Sequence, residues 1–170
     1  RKNFEGNIKY QREWMTVENI NCTINGKTVS LLVDIRQSLA DVLRDNGYTG
    51  IKESCGVGEC GACTVLVDGK AVDACLQLGI WADEREIRTV EGETKKGKLS
   101  TVQQAYLDAG AVQCGFCTPG LVMSTTAFVE KHQGQKVSRD KIRKGHAGNL
   151  CRCTGYETIV RAVEKCMDIQ

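Results

Sequence analysis

The stretch Ser54-Cys55-Gly56-Val57-Gly58-Glu59-Cys60-Gly61-Ala62-Cys63 constrains this chain more than any other. It sets three cysteines in a C-x4-C-x2-C spacing, and Cys75 follows as a fourth. Thiolates at that spacing hold a plant-type [2Fe-2S] cluster. A loop folded around a cluster must visit backbone conformations with positive φ and bring peptide N–H groups close to sulfur, and Gly56, Gly58 and Gly61 permit both. A second cysteine set, Cys114-Gly115-Phe116-Cys117 with Cys151-Arg152-Cys153, lies in the other half of the chain. The spacing predicts two redox centres in series, each held by four sulfurs.

Other uses of the cysteines fit less well. Ten cysteines in 170 residues would suit a disulfide scaffold if they were spread out. Tight clusters beside glycine suit metal ligation in a reducing compartment, for which the cytoplasm is the default. Zinc also accepts four thiolates in a closed tetrahedral site, so a zinc-stabilised, non-catalytic interaction module is the competing reading. The x4–x2 spacing in a glycine-rich loop, repeated by a second four-cysteine set, favours iron–sulfur. Cys114-x2-Cys117 alone could be a dithiol redox motif, but no βαβ pattern surrounds it and the Cys151-x-Cys153 pair supplies two more ligands. A formal net charge of +2 with dispersed basic residues gives no footprint for nucleic acid. No apolar run is long enough to span a membrane, and the start shows no secretion signal.

Residues 1–15 have no clear period and read as an N-terminal extension. From Val17 the pattern alternates through Ile20, Cys22 and Ile24, turns at Asn25-Gly26, and resumes at Val29, Leu31 and Val33, which predicts a β-hairpin. Leu39, Val42 and Leu43 recur at helical spacing behind Ser38 as N-cap, with Gly47 at the end. After the cysteine loop, Thr64–Val67, a turn at Asp68-Gly69, and Ala71-Val72 make a second hairpin leading to Cys75, and Ile87–Val90 adds a short strand. A mixed sheet wrapped over one helix is a β-grasp, so the fold class is α+β, with a ferredoxin-like domain over residues 16–90. Residues 91–98 read as a surface linker. Residues 99–170 change to helical period and predict an all-α, four-helix domain. Its helices begin at the Ser100/Gln103 capping box, at Thr118-Pro119, behind Ser138, and near Tyr156. The Cys114/Cys117 and Cys151/Cys153 pairs each precede a helix, whose N-terminal N–H groups stabilise anionic thiolates.

Three blocks also carry a resemblance: Cys55–Val65, Gln113-Cys114-Gly115-Phe116-Cys117-Thr118-Pro119-Gly120, and Gly148-Asn149-Leu150-Cys151-Arg152-Cys153-Thr154-Gly155-Tyr156. In this order they resemble the signatures of the two-cluster iron–sulfur subunit of the molybdenum hydroxylases, the xanthine dehydrogenase and aldehyde oxidoreductase family, and look closest to the separate small subunit of bacterial xanthine dehydrogenases. The resemblance implies one [2Fe-2S] cluster on Cys55, Cys60, Cys63 and Cys75 and a second on Cys114, Cys117, Cys151 and Cys153. It implies a contact of Gln113 with a molybdenum-pterin cofactor. It also implies two partners, a molybdenum-binding large subunit and an FAD-binding medium subunit, with electrons passing from molybdenum through the helical-domain cluster, then the ferredoxin-domain cluster, to FAD. Aldehyde, carbon monoxide or aromatic acyl-CoA oxidoreductases of the same family are the alternatives to a purine enzyme. No substrate-binding catalytic centre is expected in this chain.

Several residues invite a functional role and receive a structural one. Cys22 and Cys166 fall on the apolar sides of a strand and a helix, where free cysteine packs as a small hydrophobe. His132 reads as a solvent-facing or capping residue and His146 as a structural one, since neither has a second histidine at ligand spacing. Glu59 is expected to face solvent, and Arg152 either offsets cluster charge or meets a partner.

Overall fold

The computed structural model describes residues 16–168. The extension expected over residues 1–15 lies outside the described residues, as do residues 169–170. Strands β1 (Val17–Ile24) and β2 (Lys27–Asp34) pair antiparallel from Val17 opposite Asp34 to Ile24 opposite Lys27. Asn25 takes φ 52° and Gly26 φ 78°, the left-handed pair that a two-residue type I′ turn requires. Asn25 does more than turn the chain. Its side-chain amide donates to Thr89 Oγ1 at 2.9 Å and its oxygen accepts from the Thr89 N–H at 2.8 Å, pinning the hairpin tip to the end of the sheet.

Helix α1 (Leu39–Asp45) starts at a reciprocal cap, with Ser38 Oγ accepting from the Asp41 N–H at 3.1 Å and the Asp41 carboxylate accepting from the Ser38 N–H at 3.2 Å. Strands β3 (Thr64–Val67) and β4 (Lys70–Asp73) form the second hairpin, and β5 (Glu86–Arg88) completes a five-stranded sheet of order β2-β1-β5-β3-β4. Strand β5 runs parallel to β1 and antiparallel to β3. Alternation along each strand aims Ile20, Cys22, Ile24, Val33, Val65 and Ile87 at one face, where Leu39, Val42 and Leu43 of α1 cover them. Burial of such side chains contributes about 1.5–3 kcal/mol each, and it fixes the register because a one-residue slip would turn the whole set to solvent.

The segment after β5 differs from the expectation of a strand through Val90 followed by a surface linker. Val90–Glu93 forms a short helix, α2, and Glu93 is buried. Charge explains the turn. Arg88 donates to Glu93 Oε1 at 2.8 Å and to Glu130 Oε1 at 2.8 Å, so one guanidinium at the end of the central strand gathers the sheet, α2 and the helical half. Glu91 accepts from the Gly50 N–H at 2.8 Å and from the Thr89 hydroxyl at 2.6 Å. Residues 94–99 are exposed.

Helices α3 (Thr101–Asp108), α4 (Thr118–Lys131), α5 (Arg139–Gly145) and α6 (Glu157–Asp168) follow, giving six α-helices among the described residues. Ser100 and Gln103 cap α3 reciprocally at 3.2 and 2.9 Å. Tyr156 has φ 69°, so α6 begins one residue later than the sequence suggests. A core of Val102, Tyr106, Leu121, Val122, Ile159 and Cys166 joins α3, α4 and α6, while Phe128, Ile142, Val160 and Val163 seat α5. Helix α4 also packs on β3 and β4, which locks the two halves together.

Candidate iron-sulfur centres

The Cys55–Cys63 loop leaves α1 and returns to β3 with Gly56, Gly58 and Gly61 at φ 67°, 75° and 64°. Only glycine takes such a run without strain. The turns aim amides at sulfur: the Val57 and Glu59 N–H groups donate to Cys55 Sγ at 3.5 and 3.4 Å. These bonds, the Val57 amide first, with help from the Cys60 thiol, pull the Cys55 thiol down to about 6. The same donors stabilise a cluster-bound thiolate and raise a cluster's readiness to accept an electron. Cys63 is different. It is buried against the sheet, and burial pushes its thiol up to about 12. Cys75 arrives beside it from the turn after β4, and the two thiols interact.

The second set is built in the same way from different elements. Cys117 occupies the N-cap position of α4 without a capping side-chain bond, and burial raises its thiol to about 12. Cys151 meets it from the α5–α6 loop. Burial opposes ionisation of Cys151, but the Thr154 hydroxyl, donating to Cys151 Sγ at 3.1 Å, and the backbone N–H groups of Thr154 and Cys153 outweigh it and leave the thiol lowered. Cys114 and Cys153, both exposed, stand with their sulfurs 3.6 Å apart.

The thiols therefore come in four pairs: Cys55 with Cys60, Cys63 with Cys75, Cys114 with Cys153, and Cys117 with Cys151. Two pairs per site suit a two-iron centre, in which each iron takes two thiolates. Among the described residues, no group of three or more His, Cys, Asp or Glu side chains converges where a single metal ion would sit. The raised thiols at Cys63 and Cys117 would have to lose protons to bind metal, so metal binding there would release protons.

The two cysteine loops, from opposite halves of the sequence, touch. The Leu150 N–H donates to the Cys60 carbonyl at 2.9 Å, and Asn149 Nδ2 donates to the Gly61 carbonyl at 2.9 Å. Nothing in the cysteine spacing foretells this contact. The sequence places Asn149, Thr154 and Tyr156 in the block around Cys151 and Cys153 but assigns them no role at the site. Tyr156 accepts from the Cys151 N–H through its phenol oxygen at 2.9 Å and so shapes the loop that carries Cys151 and Cys153. Polar and aromatic residues within five positions of a cysteine pair were the available signal.

The remaining candidates sort cleanly. Gln113 is exposed beside Cys114, and Glu59 and Arg152 are also exposed. Cys22 and Cys166 are 3% and 1% exposed, each inside its hydrophobic core. His132 does cap the end of α4, but it does not face solvent: it is buried, donates from Nδ1 to the Phe128 carbonyl at 2.8 Å, and packs against the Phe128 ring at a tilt of 38°. The short reach from Nδ1 to its own helix turn, with an aromatic four residues back, explains the burial. His146 is buried as well and closes α5.

Comparison with known proteins agrees with this architecture. The model of a 2Fe-2S iron-sulfur cluster binding domain matches residues 22–99, and that of a [2Fe-2S] binding domain matches residues 89–164. The xanthine dehydrogenase iron-sulfur-binding subunit of Escherichia coli O157:H7 is 57% identical over 147 residues, covering 86% of this chain and 92% of that protein. The solved structure of quinoline 2-oxidoreductase from Pseudomonas putida 86 is similar at 41% identity and TM-score 0.85, over 89% of this chain and 94% of the matched one. The aldehyde oxidoreductase of Desulfovibrio gigas matches at 38% identity and TM-score 0.84, over 89% of this chain but only 17% of its own. Two [2Fe-2S] binding domains in tandem, thiols paired as two-iron centres require, and relatives of this identity and coverage lead to one conclusion: the chain belongs to the family of two-cluster iron–sulfur subunits of the molybdenum hydroxylases.

Proposed function

We propose that this chain is the electron-carrying subunit of a xanthine dehydrogenase-like molybdenum hydroxylase, standing between a molybdenum-pterin large subunit and an FAD-binding medium subunit. A reducing compartment such as the cytoplasm keeps its thiols available for metal. Cys55, Cys60, Cys63 and Cys75 hold one [2Fe-2S] cluster in a ferredoxin-like domain over residues 16–90. Cys114, Cys117, Cys151 and Cys153 hold the other in a four-helix domain over residues 99–170, with residues 91–98 between them. When bound, each cluster supplies a one-electron carrier, while the protein tunes it through hydrogen bonds to sulfur and through exposure.

The observation that carries this reading is the juxtaposition of the two loops. The Leu150 N–H to Cys60 carbonyl bond, at 2.9 Å, joins a residue adjacent to Cys151 directly to a residue of the first thiol set. The exposed edges support partners at both ends. Val57 and Leu76 flank the sheet-half thiols, Phe116 and Leu150 flank the helical-half thiols, and all four are exposed. Apolar patches of this kind, rimmed by polar residues, mark interaction surfaces. Gln113 is the residue assigned to a pterin contact, and its exposure beside Cys114 supports that assignment.

Metal and acid-labile sulfide analysis of the purified chain tests the reading, together with its visible spectrum. About four irons per chain, a red-brown colour, and two distinguishable EPR signals after dithionite reduction are expected. Zinc in place of iron, with a colourless protein, would overturn it. Copurifying subunits assayed with xanthine, hypoxanthine and simple aldehydes decide between a purine and an aldehyde substrate.

A further inference from the structure

The two halves have separate hydrophobic cores, yet their cysteine loops meet at one small polar junction. Asn149 sits at its centre, 6% exposed. Its amide nitrogen donates to the Gly61 carbonyl at 2.9 Å and lies 3.3 Å from Thr64 Oγ1. Thr64 in turn donates its hydroxyl to the same Gly61 carbonyl at 2.7 Å. A carbonyl only accepts, so the nitrogen end of the amide is the end that faces Gly61. The backbones are packed too closely here for side chains. A Cβ on Gly61 would meet the Gly148 carbonyl at 2.6 Å, and one on Gly120 would collide with the Gly61 carbonyl.

We propose that Asn149 is a positioning residue that sets the separation and orientation of the two [2Fe-2S] centres, by holding the Cys60–Cys63 loop against the loop that carries Cys151 and Cys153. This rests on the ligand assignment above. Its side chain reaches across to Gly61, between two ligands of one centre, from a position two residues before a ligand of the other. The neighbouring Leu150 N–H to Cys60 carbonyl bond depends on the same register. Hydrogen bonds among buried groups of this kind hold a constellation to within about 0.5 Å. Electron transfer and magnetic dipolar coupling both fall steeply with separation, so a loosened junction weakens both while each centre keeps its own four thiolates.

The test uses the full chain with both clusters loaded, reduced with dithionite, and reads the spin–spin splitting between the two reduced clusters by EPR. Asn149→Asp keeps the size of the side chain but turns an acceptor toward the Gly61 carbonyl, and Asn149→Ala removes the contact. Both are expected to retain wild-type iron content and the g values of each cluster while the mutual splitting shrinks. Thr64→Val leaves the Asn149–Gly61 bond in place and is expected to keep the wild-type splitting. An unchanged splitting in both Asn149 variants would overturn the proposal. So would loss of iron from the helical-half centre alone, since that makes Asn149 a folding residue of one loop, and so would an equal change in Thr64→Val. A wild-type chain lacking two reducible clusters would instead sink the ligand assignment, and the proposal with it.

Discussion

Replacing Thr125 by valine should destabilise the helical half far more than the loss of one hydroxyl suggests. Thr125 is fully buried in α4. Its Oγ1 lies 2.8 Å from the Tyr106 phenol and 2.9 Å from His146 Nε2, while His146 Nδ1 lies 2.8 Å from the Ile142 carbonyl. That carbonyl can only accept, so Nδ1 carries the proton and Nε2 is the acceptor. Thr125 therefore donates to His146 and accepts from Tyr106, whose phenol burial keeps protonated. Valine matches threonine in shape and has similar helix propensity, so it opens no cavity. It strands His146 Nε2, at a cost of about 1–3 kcal/mol, and leaves Tyr106 with only the Leu121 carbonyl at 3.4 Å. A total near 3 kcal/mol corresponds to a fall of roughly 6–12 °C in the unfolding midpoint for a chain of this size. Thr125→Ser keeps the relay and loses a methyl group, about 1 kcal/mol and roughly 2–4 °C. Thermal unfolding followed by far-ultraviolet circular dichroism at one scan rate distinguishes them. Equal midpoints for the valine and serine variants would refute the buried hydrogen-bond relay argued here.

Further outcomes follow from the same structure. Burial holds the His146 imidazole below its ordinary value of 6.5, with the Ile142 carbonyl partly opposing. Its contribution to stability is therefore complete above that value and is lost as pH falls through and below it, because the unfolded chain then takes up a proton that the folded one resists. Midpoints measured from pH 7 down to about 5 should decline less steeply in His146→Gln, and an unaltered slope would show that this imidazole does not titrate on unfolding. Cys114→Ser should abolish the EPR signal of one cluster and stop flavin reduction by substrate in the assembled enzyme, with unchanged turnover rejecting the electron route. Cys166→Ala, by contrast, should cost about 1 kcal/mol of packing and no iron, so iron loss on analysis would make that thiol a ligand. Arg88→Ala leaves the Glu93 carboxylate buried without its partner and should cost about 2 kcal/mol in denaturant unfolding, while a cost below about 0.5 kcal/mol would place this pair among ordinary surface ion pairs.

Much of this protein is legible in its sequence, because its local signals are short-range and chemically specific. The C-x4-C-x2-C loop with its three positive-φ glycines, the Asn25-Gly26 and Asp68-Gly69 turns, and the Ser38 and Ser100 caps each rest on neighbours within a few positions. The two four-cysteine sets and the order of the strands and of every helix but α2 followed from them. Tertiary structure decided what distant segments do to one another. Arg88 draws Glu93 inward and makes a helical turn of an apparent linker, and the Phe128 ring takes His132 out of solvent. Asn149 finds Gly61 eighty-eight residues away. Spacing along the chain reports which sulfurs share a loop, but which loops meet is decided by tertiary packing and by hydrogen-bond partners such as Asn149 and Gly61 that no local pattern encodes.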